Sequence, residues 1–250
     1  MTQRKAAGGG FTLIELLVAL AIATILITGI VQLAVAAGGS YRLQQNLGAL
    51  QENARFAFGL IEQESGQAGF DPEPWRSETV MGAISGESVD ALNPGSDRIA
   101  FRRWSDRNCF NNDNPVTDGS GHAEFFLLES SFTVTTSGSL ALTCRYGPDP
   151  GNLTTQINGL GLVQHVSALQ ALYAEDSDLD GDADRWVNAG DWLDEANVTG
   201  LRVALLLGSP DRVTNETGGD VQVLDETVPA PADGRLRRVF SATMAIRGRN

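Results

Sequence analysis

The chain has 250 residues, 42% of them hydrophobic, so it can bury a core as one large domain or two small ones. It carries 31 acidic and 18 basic residues, and the resulting formal charge of −13 argues against a broad nucleic-acid-binding surface. Two histidines, His122 and His165, are too few for a histidine-based metal hydrolase, and the sequence contains no phosphate-binding loop or nucleophile elbow. We therefore expect no enzymatic activity and no nucleic-acid partner.

A long apolar run near the N-terminus predicts a membrane-spanning helix. The run from Leu16 to Ala37 contains few polar residues and would measure about 33 Å as a helix, which is enough to cross a bilayer. Arg4 and Lys5 precede the run, and positive charges in this position stay in the cytoplasm. The N-terminus is therefore predicted to face the cytoplasm, and the rest of the chain to lie outside.

Glu15 stands at the cytoplasmic start of this uncharged run. An acid at the centre of a membrane helix costs roughly 2.5 to 3.5 kcal/mol, less near the edge, and such residues are usually functional or paired. The alternative is that Glu15 marks only the membrane interface.

Gly8, Gly9 and Gly10 precede the apolar run, whereas an ordinary secretory signal has its small residues after the run. The segment is therefore not predicted to be such a signal.

Residues 10 to 20 combine these features in the string G-F-T-L-I-E-L-L-V-A-L. The string resembles the class III signal of type IV pilins and pseudopilins. The resemblance implies that residues 1–10 are a leader peptide, which a prepilin peptidase removes by cutting between Gly10 and Phe11 before it methylates the new amino group of Phe11. It also implies that Glu15 pairs with the terminal amine of a neighbouring subunit during assembly, a contact in which two costly charges neutralise each other.

The helix is predicted to continue beyond the membrane. Residues 11–37 form its transmembrane or filament-core part, and residues 38–65 form an amphipathic second half with apolar residues every three or four positions. These apolar residues are Leu43, Leu47, Leu50, Ala54, Phe58 and Ile61. Gly66 and Gly69, with the prolines beyond them, predict the end of the helix. The stretch from Gln44 to Phe70, with its Q-E-N-A-R-F-A run, resembles the helix of PilW-type minor pilins.

Residues 70–250 show short β-rich runs between polar loops, which predicts a periplasmic globular domain. The predicted strands are Arg98 to Trp104, Glu124 to Leu128, Phe132 to Thr136, Leu140 to Tyr146, Val163 to Tyr173, Leu201 to Leu207 and Leu236 to Ile246. Residues Thr136 to Ser139 predict a hairpin. The fold class is therefore α+β, with the long helix packed on a mostly antiparallel sheet that carries long loops.

The C-terminal run from Arg235 to Asn250 resembles the last strand of PilW-type proteins. Its arginines are expected at solvated positions on the edge of a sheet.

The two cysteines, Cys109 and Cys144, lie in the part of the chain that is predicted to be exported. A pair of cysteines in an oxidising compartment favours a disulfide, and two unpaired buried thiols are the alternative. The bond would tie the Asn-rich loop 108–114 to the strand that ends at Tyr146.

Five aspartates alternate along the segment that follows Tyr173: Asp176, Asp178, Asp180, Asp182 and Asp184. The string D-x-D-x-D-G matches the first half of an EF-hand calcium loop, in which Asp182 would offer its backbone carbonyl and Asp184 the next ligand or its water. The twelfth position is Val187, where an EF-hand has a bidentate glutamate, so Asp191, Asp194 or Glu195 would have to complete the site. Calcium is the one cofactor that the sequence suggests. The alternative is a solvated acidic turn.

The resemblance implies a minor pilin that helps to initiate type IV pilus assembly, and thereby twitching motility, at or near the pilus tip. Its partners would be other minor pilins, the major pilin, the prepilin peptidase and the inner-membrane assembly machinery. It would start as a single-pass inner-membrane protein with a periplasmic C-terminal domain and end in the extracellular pilus. The alternatives are a minor pseudopilin of a type II secretion system, and an adhesive or DNA-uptake module on a pilin anchor.

Overall fold

The computed structural model describes residues 12–73, 81–90, 95–213 and 218–246. These residues contain one α-helix, ten β-strands and one short 3-10 helix, Glu195–Asn197. The helix, α1, runs over Leu13–Gln67. The chain divides into two compact units, and the boundary between them falls within α1, after Gln45.

The part of α1 that belongs to the first unit has apolar side chains on all its sides. Every large apolar residue between Leu13 and Val35 is at least 53% exposed, and these residues occupy consecutive as well as alternate positions. The hydroxyls of Thr24 and Thr28 donate to backbone carbonyls one turn earlier, at 2.8 Å each, so these polar groups are satisfied within the helix. By length and composition, α1 can cross a membrane.

The part of α1 in the second unit buries one face, as an amphipathic helix does. The buried residues recur every three or four positions: Asn46, Leu50, Ala54, Ala57, Ile61 and Ser65. Leu43 and Leu47 of the predicted stripe are exposed and half-buried, respectively. At the N-terminal end of the buried face, the side-chain carbonyl of Asn46 accepts the backbone N–H of Asp211 at 2.9 Å.

The first four-stranded sheet is antiparallel and follows the order of the chain. Its strands are β1 Arg98–Ser105, β2 Phe126–Val134, β3 Ser139–Gly147 and β4 Thr154–Gln164. The predicted hairpin is confirmed between β2 and β3, where Gly138 takes a left-handed conformation with φ +76°. β2 is one strand where two were predicted, because the polar residues in its middle are paired. Glu129 there accepts hydrogen bonds from Arg145 and Ser85.

The second four-stranded sheet has the order β10-β7-β5-β6 and is also antiparallel. Its strands are β5 Val166–Glu175, β6 Arg185–Val187, β7 Val198–Arg212 and β10 Arg235–Ala245. A separate hairpin joins β8 Asp220–Val223 to β9 Glu226–Pro229. The predicted strand Val163 to Tyr173 is two strands, because the chain turns at His165 (φ 61°) and passes from the first sheet to the second.

The main core forms where the buried face of α1 meets both sheets. Leu50, Ala57 and Ile61 of the helix belong to the same buried cluster as Phe132 of β2 and Leu169 of β5. A smaller cluster packs the β8–β9 hairpin on the second sheet. The predicted α+β fold is therefore confirmed, with two four-stranded antiparallel sheets and a separate two-stranded hairpin in place of one sheet.

The predicted disulfide between Cys109 and Cys144 is confirmed. It joins the loop after β1 to the middle of β3 and packs with Leu128 and Tyr146 in a third small cluster. The two cysteines are 35 residues apart in the sequence, and the chain between them contains the loop up to residue 125, then β2 and the first part of β3. The bridge therefore ties the loop between β1 and β2 to β3, and closing the loop lowers the entropy of the unfolded chain.

Replacing both cysteines by serine should lower the free energy of unfolding by about 3 kcal/mol, because the unfolded chain gains entropy when a loop of this length is no longer closed. Urea unfolding of the detergent-solubilised full chain measures this loss. A reducing agent should shift the wild-type midpoint in the same direction and leave the midpoint of the double variant unchanged. Equal midpoints for the wild type and the double variant would contradict a stabilising role.

Candidate functional site

The first candidate site is the start of α1, where Thr12 and Glu15 form a reciprocal cap. The backbone N–H and the hydroxyl of Thr12 each donate to Oε2 of Glu15 at 3.4 Å, and the N–H of Glu15 donates to the hydroxyl of Thr12 at 3.3 Å. This is the capping-box arrangement, in which two side chains satisfy N–H groups that the first turn of a helix leaves free. The predicted cleavage and methylation residues, Gly10 and Phe11, lie outside the described residues.

The cap places a carboxylate at the N-terminal end of a helix whose apolar surface is exposed. Glu15 is itself exposed, so the same carboxylate is accessible to a positively charged group of another molecule. The partial positive charge of the helix N-terminus also favours an anion there. Glu15 was expected from the sequence but Thr12 was not, although the spacing T-x-x-E is the recognised signal of a capping box.

The second candidate site is the acidic loop, residues 176–184, which connects β5 to β6. Its two ends are held together because the N–H of Asp184 donates to the carbonyl of Glu175 at 2.9 Å. The N–H of Asp176 donates to the carbonyl of Asn197 at 3.0 Å. Gly181 adopts a positive φ of 100°, which glycine permits without strain.

The structure brings three of the five predicted aspartates together. Asp176, Asp178 and Asp184 each offer a carboxylate oxygen, and these oxygens lie within 4.8 Å of one another. Asp180 and Asp182 are not in this group, and one Asp180 oxygen accepts the backbone N–H of Asp182 at 2.9 Å.

The residues that were considered as completing ligands are engaged elsewhere or lie outside the group. The side chain of Asp194 accepts the N–H of Ala196 and caps the 3-10 helix, and Glu195 forms an ion pair with Arg102. Asp191 is not part of the group of three. Val187, at the twelfth position of the EF-hand register, lies in β6 and is buried. The loop therefore departs from an EF-hand in its second half.

The three aspartates differ in their surroundings. Asp176 is only 3% exposed; its Oδ2 accepts the N–H of Gly181 at 3.1 Å, whereas its Oδ1 has no hydrogen-bond partner among the described residues. Asp178 and Asp184 are exposed. The hydroxyl and N–H of Ser177 both donate to Asp184 and hold the pKa of that carboxyl below its usual value.

A buried ion pair that the sequence analysis missed lies beside the loop. Glu175 is fully buried and accepts hydrogen bonds from the N–H groups of Leu193 (2.6 Å) and Asp194 (3.1 Å), and from Nε of Arg185 at 2.8 Å. Burial alone would raise the pKa of Glu175, but the backbone N–H of Asp194, Arg185 and the N–H of Leu193 together lower it. Sequence spacing gives no signal for this pair, because it depends on the β5–β6 pairing.

Of the three arginines of β10, Arg238 is exposed as expected, whereas Arg235 and Arg237 are not. β10 does lie at the edge of its sheet, but the side chains of Arg235 and Arg237 are only 18% and 11% exposed. Asp233 pairs with both, and Arg237 contributes most to lowering the pKa of Asp233 to about 2. These two arginines therefore do not form a solvated basic patch.

Comparison with known proteins gives two family matches. Residues 131–248 match the family described as Type IV Pilus-assembly protein W, and residues 7–31 match the prokaryotic N-terminal methylation motif. The first match runs from within β2 to beyond β10, and the second includes Gly10, Phe11 and Glu15. No curated protein matches the chain.

Among solved structures, the chain is similar to a type IV-like pilin from Thermus thermophilus, with 18% sequence identity and a TM-score of 0.44. The alignment covers 83% of this chain and 98% of that one. The apolar helix and the methylation motif together indicate a membrane anchor. The two family matches and the α+β fold identify the chain as a type IV pilin-like protein with a class III signal, anchored in the membrane by α1.

Proposed function

We propose that this protein is a minor pilin of a type IV pilus, which helps to initiate assembly and lies at or near the pilus tip. The observation that supports this most is the match of residues 131–248 to a family described by its part in pilus assembly. The methylation motif alone does not distinguish a pilus from a secretion system, because pilins and pseudopilins share it. The assembly-family match is therefore what favours the pilus.

The exposed surface of α1 supports assembly with other subunits. A helix with large apolar side chains on all sides is stable in lipid, or in a bundle of similar helices, but not in water. When such a helix leaves the membrane, neighbouring apolar helices must replace the lipid. The helices of the major pilin and of other minor pilins are the partners that fit.

The distribution of charge and cysteines supports an outward-facing domain. Arg4 and Lys5 precede the membrane-spanning part of α1, and this order places the N-terminus in the cytoplasm. The disulfide of the second unit requires an oxidising compartment, which the periplasm provides. The inferred precursor is therefore a single-pass inner-membrane protein with a periplasmic domain, the substrate of a prepilin peptidase and a client of the inner-membrane assembly machinery.

Deletion of the gene should abolish surface fibres and twitching motility while type II secretion continues, because the proposed role is to start the pilus. Electron microscopy and a secretion assay on the same strains measure both, with the wild-type gene restored as control. Lost secretion with normal fibres would instead identify a pseudopilin.

Gold-labelled antibody against the second unit should mark fibre ends, and uniform labelling along the shaft would contradict a tip location.

Glu15→Ala should be processed normally but should restore few or no fibres to the deletion strain, because we infer that the Glu15 carboxylate pairs with the terminal amine of a neighbour. Fibre counts and the mass of the processed chain are the measurements. The structure offers a sharper test, since Glu15 also caps its own helix.

Two matched variants separate the capping role from the charge-pairing role. Glu15→Gln can keep the capping box but loses the charge, and Thr12→Ala keeps the charge but loses the cap. Charge pairing predicts that Glu15→Gln fails like Glu15→Ala and that Thr12→Ala assembles. If Glu15→Gln restores fibres and Thr12→Ala does not, the carboxylate acts only as a cap.

A further inference from the structure

The acidic loop contains a buried carboxylate oxygen without a partner. Oδ1 of Asp176 is shielded from solvent, and no donor among the described residues reaches it. Buried polar atoms are almost always paired, and leaving a charged one unpaired is costly. Oδ2 of Asp176 accepts the N–H of Gly181, and the side chain belongs to the group in which oxygens of Asp176, Asp178 and Asp184 lie within 4.8 Å of one another, so this carboxylate lies among further negative charges.

The basic residues that lie nearest to the acidic loop in the sequence are engaged in other contacts. Between residues 175 and 201 the one basic residue is Arg185, and its guanidinium pairs with the buried Glu175, its partner in the β5–β6 register. Arg202, the next along the chain, stacks over the ring of Trp186, with its guanidinium carbon 4.2 Å from the ring centre. Neither arginine appears among the partners of Asp176, Asp178 or Asp184. A bound cation would provide the missing positive charge.

We propose that Asp176, Asp178 and Asp184 bind one Ca²⁺ ion. Carboxylate oxygens are the hard ligands that Ca²⁺ prefers, and its flexible coordination by six to eight oxygens suits a loop in which three side chains converge and water fills the remaining positions. Mg²⁺ requires near-ideal octahedral geometry at shorter distances and gives up its waters reluctantly, so it fits this loop less well. The inference does not depend on the proposed role in the pilus.

The ligand set differs from the one that the EF-hand register predicts. The structure selects the first, third and ninth positions of that register and leaves out Asp180, whose Oδ1 bonds the N–H of Asp182. It also has no glutamate at the twelfth position, where Val187 is buried in β6. The proposed site has fewer charged ligands than an EF-hand. Its expected affinity is therefore that of extracellular calcium modules, with a Kd of about 10⁻⁴ to 10⁻³ M.

The bound ion would stabilise the edge of the second sheet. Asp176 directly follows β5, and Asp184 directly precedes β6, the edge strand that pairs with β5 over three residues. Joining the two aspartates through one ion closes the loop at the point where this short pairing begins. Trp186 lies in β6 and is 37% exposed, and it is one of the four tryptophans that contribute to the fluorescence of the chain.

The test is calorimetric titration of CaCl₂ into the detergent-solubilised full chain after treatment with a chelator, with thermal melts followed by tryptophan fluorescence. We expect one ion per chain, and a rise in Tm of about 3 to 8 °C at 10 mM Ca²⁺. MgCl₂ at the same concentration should give a smaller rise. An absence of saturable calcium binding up to 10 mM, or equal affinity for both ions, would overturn the proposal.

Two variants in the same loop give the matched comparison. Asp178→Asn removes a proposed ligand charge and should weaken calcium binding by roughly tenfold or more. Asp182→Asn removes the same charge from a side chain outside the group and should bind within about twofold of the wild type. Equal weakening by both variants would mean that the loop attracts cations only through its net charge, and the proposed site would be wrong.

Discussion

The apolar surface of the first part of α1 must be covered by lipid or by other apolar helices. From Leu13 to Val35 the large side chains are exposed on every side of the helix. Transfer of such a surface out of water is worth roughly 25 cal/mol for each Å², so the helix is stable only in lipid or among other apolar helices. From Asn46 onward the same helix buries one face against two sheets of its own chain. One continuous helix thus serves as the anchor and as part of the core of the second unit.

The parts of the fold that depend on local periodicity could be predicted from the sequence. The long helix, the hairpin at Gly138 and the strand that ends the fold all follow from hydrophobic spacing or turn residues. The parts that depend on distant pairing could not. Glu129 is polar but buried in β2 because Arg145 of β3 neutralises it, and no local pattern shows this. The turn at His165 was missed because Gln164 and His165 are not among the residue types that usually mark a turn, although the chain changes sheet there.

The candidate sites show the same division. Glu15 could be identified because an isolated acid in an apolar helix is unusual, and Cys109 and Cys144 because an exported pair favours a disulfide. The spacing of the aspartates predicted a calcium loop but not which of them converge. Asp176, Asp178 and Asp184 are brought together by the hydrogen bond that closes the loop between β5 and β6. Asp176 is buried, and its backbone N–H donates to the carbonyl of Asn197 just before β7, a contact that sequence spacing does not specify.

We propose that a prepilin peptidase cuts the chain between Gly10 and Phe11, so that the mature membrane-anchored protein begins at methylated Phe11. The most direct measurement is the intact mass and N-terminal sequence of the protein extracted from membranes of cells with and without their prepilin peptidase. We expect a chain that starts at N-methylated Phe11, and only when the peptidase is present. A chain that starts at Met1 in both strains, or one that is cut after the apolar run, would contradict it.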